Sequence, residues 1–246
     1  NTALSAATMK SQASASENPA PAAPPSTAAI TGLGKGRVAS IPVTAALGTF
    51  DGTLTTIRLA LPQPFMGGVK YTIAFSSVYD CPGNIISADF SQAVFSLPEE
   101  ADSLDMVINE ILFNPRPTGV DFVEVYNRSE KYINLKDWKI ANYDSGIVSN
   151  EKAVTVEDFL ISPQTYLVFT EEGNVLKGEY VQAREETFFH TDLPSFPDDE
   201  GSVVLINASG VIIDHFSYTD QLHSAFIKDD EGVSLDDCFR SDLADE

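Results

Sequence analysis

Two glutamates set the chemical question. Glu110 and Glu124 each sit within a run of apolar residues in VINEILFNPRPTGVDFVEVYN, Val107 to Asn127. Joining Leu112 to Phe122 across the turn aligns Glu110 with Glu124 and Ile108 with Tyr126. Asn109, Ile111, Val123 and Val125 fall on the opposite face. A carboxylate pair of this kind suits general acid/base hydrolysis, which in glycosidases needs a separation of roughly 5 to 9.5 Å and an aromatic-lined cleft. It also suits a cation, or simply a wet sheet face. Opposed like charges on a sheet cost a few tenths of a kcal/mol or more. The pair therefore calls for exposure, a basic neighbour such as Arg116, Arg128 or Lys139, a bound cation, or another register. The one tryptophan, Trp138 in LKDWKI, reads as core rather than as a sugar platform.

Oxygen ligands for calcium are plentiful: Asp198-Asp199-Glu200, Asp229-Asp230-Glu231, Asp236-Asp237, and Asn142 with Asp144. PDDEG and KDDEG are near-duplicates, but the EF-hand order is absent, and calcium needs about six to eight converging oxygens. Glu110, Glu124, Asp198, Asp199 and Glu200 remain weak metal candidates beside the plainer reading of solvated acidic loops, and no cofactor motif stands out. His190, His215 and His223 lack HExxH or HxH spacing, and no GxSxG elbow occurs. LGKGR lacks the ending of a phosphate loop. Asn127-Arg128-Ser129 and Asn207-Ala208-Ser209 match the glycosylation sequon and point to two exposed turns.

The elements that would position these residues are short strands between Gly and Pro turns. VASIPVTAAL, LTTIRLAL, VKYTIAFSSV and IISADFSQAVFSL come first; MVINEILF, DFVEVYNRS, YINLKDWKIANY, KAVTVEDFLI, QTYLVFTEE, GSVVLINASG and GVIIDHFSYT follow. LINASGVIIDHF is the clearest hairpin, and NVLKGEYVQARE is the one brief helix. The Ala/Ser/Pro-rich segment at 11–27 cannot bury enough surface to stay ordered. Pro98 to Leu104 is a polar break, expected to link residues 1–97 to residues 105–246 with their acidic tail.

Charge supports this division. Residues 1–100 carry six acidic and five basic side chains, whereas residues 101–246 carry thirty and ten. Such a surface repels phosphate backbones, which argues against nucleic acid. No apolar run approaches the length of a transmembrane helix. The opening residues do not resemble a signal peptide, so one has been cleaved or the chain is a piece of something longer. Cys81 and Cys238 are too few for a disulfide scaffold; they form one bridge or two separate thiols.

VINEILFNP, VDFVEVYNRSEKYINLKDWKIAN and LPSFPDDEGSVVLINASGVIIDHFSY resemble the lamin-tail domain of secreted or surface proteins of Bacteroidetes-like bacteria. The resemblance covers about 105–234. It implies an immunoglobulin-like β-sandwich with no known catalytic centre. GGVKYTIAFSSVYDCPGN, within residues 33–97, is similar to the later part of a bacterial immunoglobulin-like domain, one that lacks its leading strands or begins before this chain does. The expected architecture is all-β: two immunoglobulin-like sandwich units, the first incomplete. The expected role is a noncatalytic interaction or scaffold module, with a protein or cell-surface glycan as partner, secreted, periplasmic or on the outer surface of a Gram-negative bacterium. The alternative is a carbohydrate or calcium-dependent ligand-binding module, and after it a glycoside or phosphoester hydrolase. Phe188, Phe189, Phe196, Phe216, Tyr218 and Phe226 are split between core and a contact patch.

Overall fold

The computed structural model of the chain describes residues 27–34, 37–41, 49–50, 57–58, 64–76, 83–223, 227 and 230–236. Two compact units divide it, Asn1–Leu97 and Pro98–Glu246. Most of the Ala/Ser/Pro-rich segment, both cysteines and so the choice between a bridge and two thiols, and the acidic tail lie outside the described residues, as do Phe226, Asp229 and Asp237.

In the first unit, β1 (Thr27–Gly34) and β2 (Arg37–Ile41) form a hairpin. β3 (Thr49–Phe50) and β4 (Ile57–Arg58) make a small pair of their own. β5 (Lys70–Ser76) lies between β1 and β6 (Gln92–Ser96), giving the antiparallel order β2-β1-β5-β6. IISADFSQAVFSL yields one strand, β6, preceded by a 3-10 turn at Ala88–Phe90. Tyr71 is the buried anchor. Its ring lies 4.6 Å from Phe65 and 5.5 Å from Phe95, and its hydroxyl accepts the Met66 N–H at 2.9 Å.

The second unit is a sandwich of two antiparallel-dominated sheets. One has the order β11-β10-β15-β16, built from β10 (Lys139–Asp144), β11 (Ile147–Ala153), β15 (Glu200–Ile206) and β16 (Ile212–Thr219). The other, β14-β13-β8-β7-β17, joins β7 (Met106–Leu112), β8 (Phe122–Asn127), β13 (Thr165–Thr170), β14 (Phe188–His190) and β17 (Leu235–Asp236). β9 (Ile133–Asn134) and β12 (Leu160–Ile161) form a small pair beside them. Alternation sends Ile111, Val123, Val125 and Phe169 from one sheet, and Ile140, Val203, Leu205 and Ile213 from the other, into a shared core that includes Trp138. This all-β arrangement is an immunoglobulin-like sandwich.

Residues 98–104 are laid along this second unit rather than free of it. The Glu99 N–H is bonded to the Tyr132 carbonyl at 2.8 Å and the Leu104 N–H to the Ile213 carbonyl at 3.0 Å. The brief helix, α1, spans Gly173–Glu179, one residue earlier and several shorter than its sequence suggested. Its buried Leu176 covers Leu112, Phe122 and Val168 on the outer face of the five-stranded sheet.

Candidate functional site

The β7–β8 hairpin brings Glu110 opposite Glu124 and Leu112 opposite Phe122, as alternation requires. The Ile108–Tyr126 pairing is corrected: Ile108 faces Val125 and Val107 faces Tyr126, because a bulge at Asn109 adds a residue to β7. The bulge exchanges two side chains between faces. Ile108 enters the core, and Asn109 turns to the carboxylate side, where its amide donates to Glu124 Oε1 at 2.8 Å. The Ile108 N–H is bonded by Asp214 Oδ2 at 2.8 Å, a buried carboxylate on β16, so the irregularity is tied to the facing sheet.

None of the basic neighbours invoked for the pair is its partner among the described residues. Lys139 pairs with Glu151 at 2.5 Å, and Arg116 packs against Gly232. Glu110 is hydrogen-bonded by the Ser234 hydroxyl, and its register partner on β17 is Asp236. Three carboxylates thus stand in a row across β17, β7 and β8. Burial raises the Glu110 carboxyl above its ordinary range; the Ser234 bond opposes this and the Asp236 charge adds to it. Burial likewise raises Glu124, with the Asn109 bond opposing and the charges of Glu110 and Asp236 adding. On the other side of β7, toward the core, the space between Ile108, Ile111, Phe216 and Leu235 has no room for a water molecule.

The other candidates lie apart. Asp198, Asp199 and Glu200 are exposed at the start of β15, with Asp199 Oδ1 accepting the Glu200 N–H at 2.9 Å. Asp230 meets Asn114 at 3.5 Å. Asn142 spans Ser195, Ser202 and Asn150, while Asp144 accepts the Ser145 hydroxyl at 2.9 Å. The three histidines are separate: His190 ends β14, His215 lies 5.3 Å from Tyr143, and His223 lies 5.7 Å from Phe113. No three carboxylate, imidazole or thiol groups among the described residues converge as a metal set. Phe196 and Tyr218 are core, Phe189 and Phe216 pack partly buried against it, and Phe188 joins the α1 cluster.

Both sequon turns are exposed at their tips, but their asparagines are not. Asn127 is wholly buried and Asn207 nearly so. The Asn127 amide donates to the carbonyls of Lys131 (2.8 Å) and Ser162 (3.0 Å), and its oxygen accepts the Ser129 N–H and hydroxyl. Asn207 Oδ1 accepts the N–H groups of Ser209 and Val211, closing the β15–β16 turn that Gly210 completes at φ +79°.

A second feature escaped the sequence reading. Pro115, Val120, Asp121, Asn150, Glu171 and Ser195 are among the walls of an open, largely polar cleft of about 770 Å³. Burial, then the charges of Asp198 and Glu171, push the Asp121 carboxyl up to about 7. Asp121 precedes β8 and Glu171 follows β13, and the pairing of Phe122 with Thr170 sets these two acids side by side. Only the β8–β13 register could have revealed this, since they lie far apart in the chain. Such a carboxyl can give or take a proton near neutrality, or meet a cation.

Comparison with known families agrees with this architecture. No curated protein matches the chain. Residues 99–220 match the lamin tail domain family, an immunoglobulin-like, generally noncatalytic family that serves in protein–protein interaction. The match starts six residues before the span expected from the sequence, where the Glu99 backbone joins the second unit, and stops short of β17. Residues 99–220 of the second unit are thus a lamin tail domain.

Proposed function

We propose that this chain is a noncatalytic interaction or scaffold module, secreted, periplasmic or on the outer surface of a Gram-negative bacterium, with its lamin tail domain contacting protein partners. The observation that carries the reading is the setting of the acid pair. Glu110 and Glu124 lie on a sheet face, each hydrogen-bonded by a side chain of its own unit. Such carboxylates shape a surface; a glycosidase pair instead flanks a bound sugar. The purified chain is expected to leave glycan and phosphoester substrates intact. Saturable hydrolysis lost in Glu110→Gln or Glu124→Gln would overturn the reading. Protease digestion of intact expressing cells tests the location, with cleavage of the chain expected before any cytoplasmic marker is lost.

The cleft at Asp121 favours a second reading, a carbohydrate or calcium-dependent ligand-binding module. Its volume falls within the few hundred to about 1,000 Å³ typical of ligand sites, and its acids offer hard oxygen ligands. Binding on a glycan array that requires calcium and is lost in Asp121→Asn would support it. An unchanged melting temperature and an empty array at millimolar calcium would remove it.

A further inference from the structure

We propose that the outer face of the five-stranded sheet is a docking strip for an extended, lysine- or arginine-bearing segment of a protein partner, held between the Glu110–Glu124 pair and the Tyr126–Tyr166 stack. This deepens the interaction-module reading and rests on it.

Three observations converge on this face. The first is the open area left beside α1. Leu176, with Tyr180, covers the end of the face formed by Leu112, Phe122 and Val168, and Glu110, Glu124, Tyr126 and Tyr166 continue the same face along the strands. Tyr126 and Tyr166 oppose each other in register with rings stacked at 4.3 Å, and Tyr166 is 45% exposed. An exposed tyrosine ring stacked on a half-buried one, next to carboxylates, offers a surface to a cation.

The second is an imbalance of charge. In the described ion pairs, Lys131, Lys136, Lys139 and Lys177 go to Asp102, Asp105, Asp158, Glu151 and Glu185, and none goes to Glu110 or Glu124. Among the described residues, Glu110 and Glu124 receive only the neutral donors Ser234 and Asn109. A half-buried acid pair stabilised by neutral groups gains most from a cation supplied by a partner. Thirty acidic against ten basic residues beyond residue 100 give the same sign of attraction at long range.

The third is shape. No metal-ligand set converges among the described residues, so the strip suits charges spaced along a chain. Same-face residues of an extended segment recur about every 7 Å, and neighbouring strands lie about 4.8 Å apart. One segment crossing the face therefore spans both the carboxylate row and the tyrosine stack.

The test uses the full chain and a fluorescein-labelled nine-residue peptide of alternating lysine and threonine. Binding is expected to weaken about tenfold in the Glu110→Gln/Glu124→Gln double variant. It is expected to weaken about threefold in Tyr166→Ala and to persist in Tyr166→Phe. Glu157→Gln with Glu172→Gln removes the same charge from exposed sites and should change affinity by less than about twofold. Equal losses in the two double variants would overturn the proposal by reducing the effect to net charge. Equally tight binding of spermine at the same residues would also overturn it, in favour of a small polycation. Melting temperatures verify folding, and amide shift changes on titrating the native chain should map to β7, β8 and β13; changes centred elsewhere would overturn it without any variant. Failure on these points leaves the broader interaction reading standing, since that reading falls to hydrolysis.

Discussion

Asn127 is wholly buried and its side chain makes four hydrogen bonds, tying the end of β8 to the turn that follows it and to the turn between β12 and β13. Asn127→Ala takes the amide donor from the Lys131 carbonyl and leaves the Ser162 carbonyl with the Thr165 hydroxyl alone, so urea denaturation should show a loss of about 2–4 kcal/mol. Glu124→Gln is the opposite case. It keeps an acceptor for Asn109 and removes repulsion with Glu110 and Asp236, so it should leave the denaturation midpoint unchanged or slightly higher at pH 7. Asp121 sets a pH trend. Its folded value is raised from 3.8 to about 7, so the native state holds the extra proton between those values. The stability contributed is present below the unfolded value and lost as pH rises through about 7. Asp121→Asn should flatten this decline in melting temperature between pH 4 and pH 7. The opposition of Glu110 and Glu124 was legible because side chains alternate strictly between them and the turn. The faces of Ile108 and Asn109 were not, because Asp214, which fixes the bulge, lies 106 residues away.

The β15–β16 hairpin was readable from its apolar flanks and its Asn-Ala-Ser-Gly turn, which appears with Gly210 at positive φ. β17 was not, since two residues carry no period and owe their strand form to β7. α1 was only partly legible: seven residues held by Leu176 on the sheet depend on packing rather than propensity. Gly201 shows how closely two strands can constrain one position. A Cβ there would overlap the hydroxyl of Tyr218, which is buried, stacked on Phe113 at 4.1 Å and bonded to the Pro197 carbonyl. Gly201→Ala should therefore lower stability by about 1–3 kcal/mol, measurable by calorimetry. The second change Tyr218→Phe, which removes the nearest atom, should recover part of the loss.

Across the whole chain, the change in charge near residue 100 accompanies the division into units at Leu97 and Pro98. Charge does not reveal where the polar stretch after it rests, because backbone bonds from Glu99 and Leu104 decide that. A net charge of −21 predicts self-repulsion that salt relieves. The melting temperature should rise by a few degrees between about 10 mM and 0.5 M sodium chloride, as the screening length shrinks from about 30 Å to a few ångströms. The two buried sequon asparagines bear on how the protein can be made. In a eukaryotic secretory pathway, oligosaccharide is joined to the amide nitrogen of such a sequon in the nascent chain. At Asn127 that would replace one of the amide hydrogens that hold Lys131 and Ser162 with a sugar for which the folded turn has no space. Chains modified there would be shut out of the native state, so a host without this modification, or a chain with Ser129 replaced, is the route to folded protein.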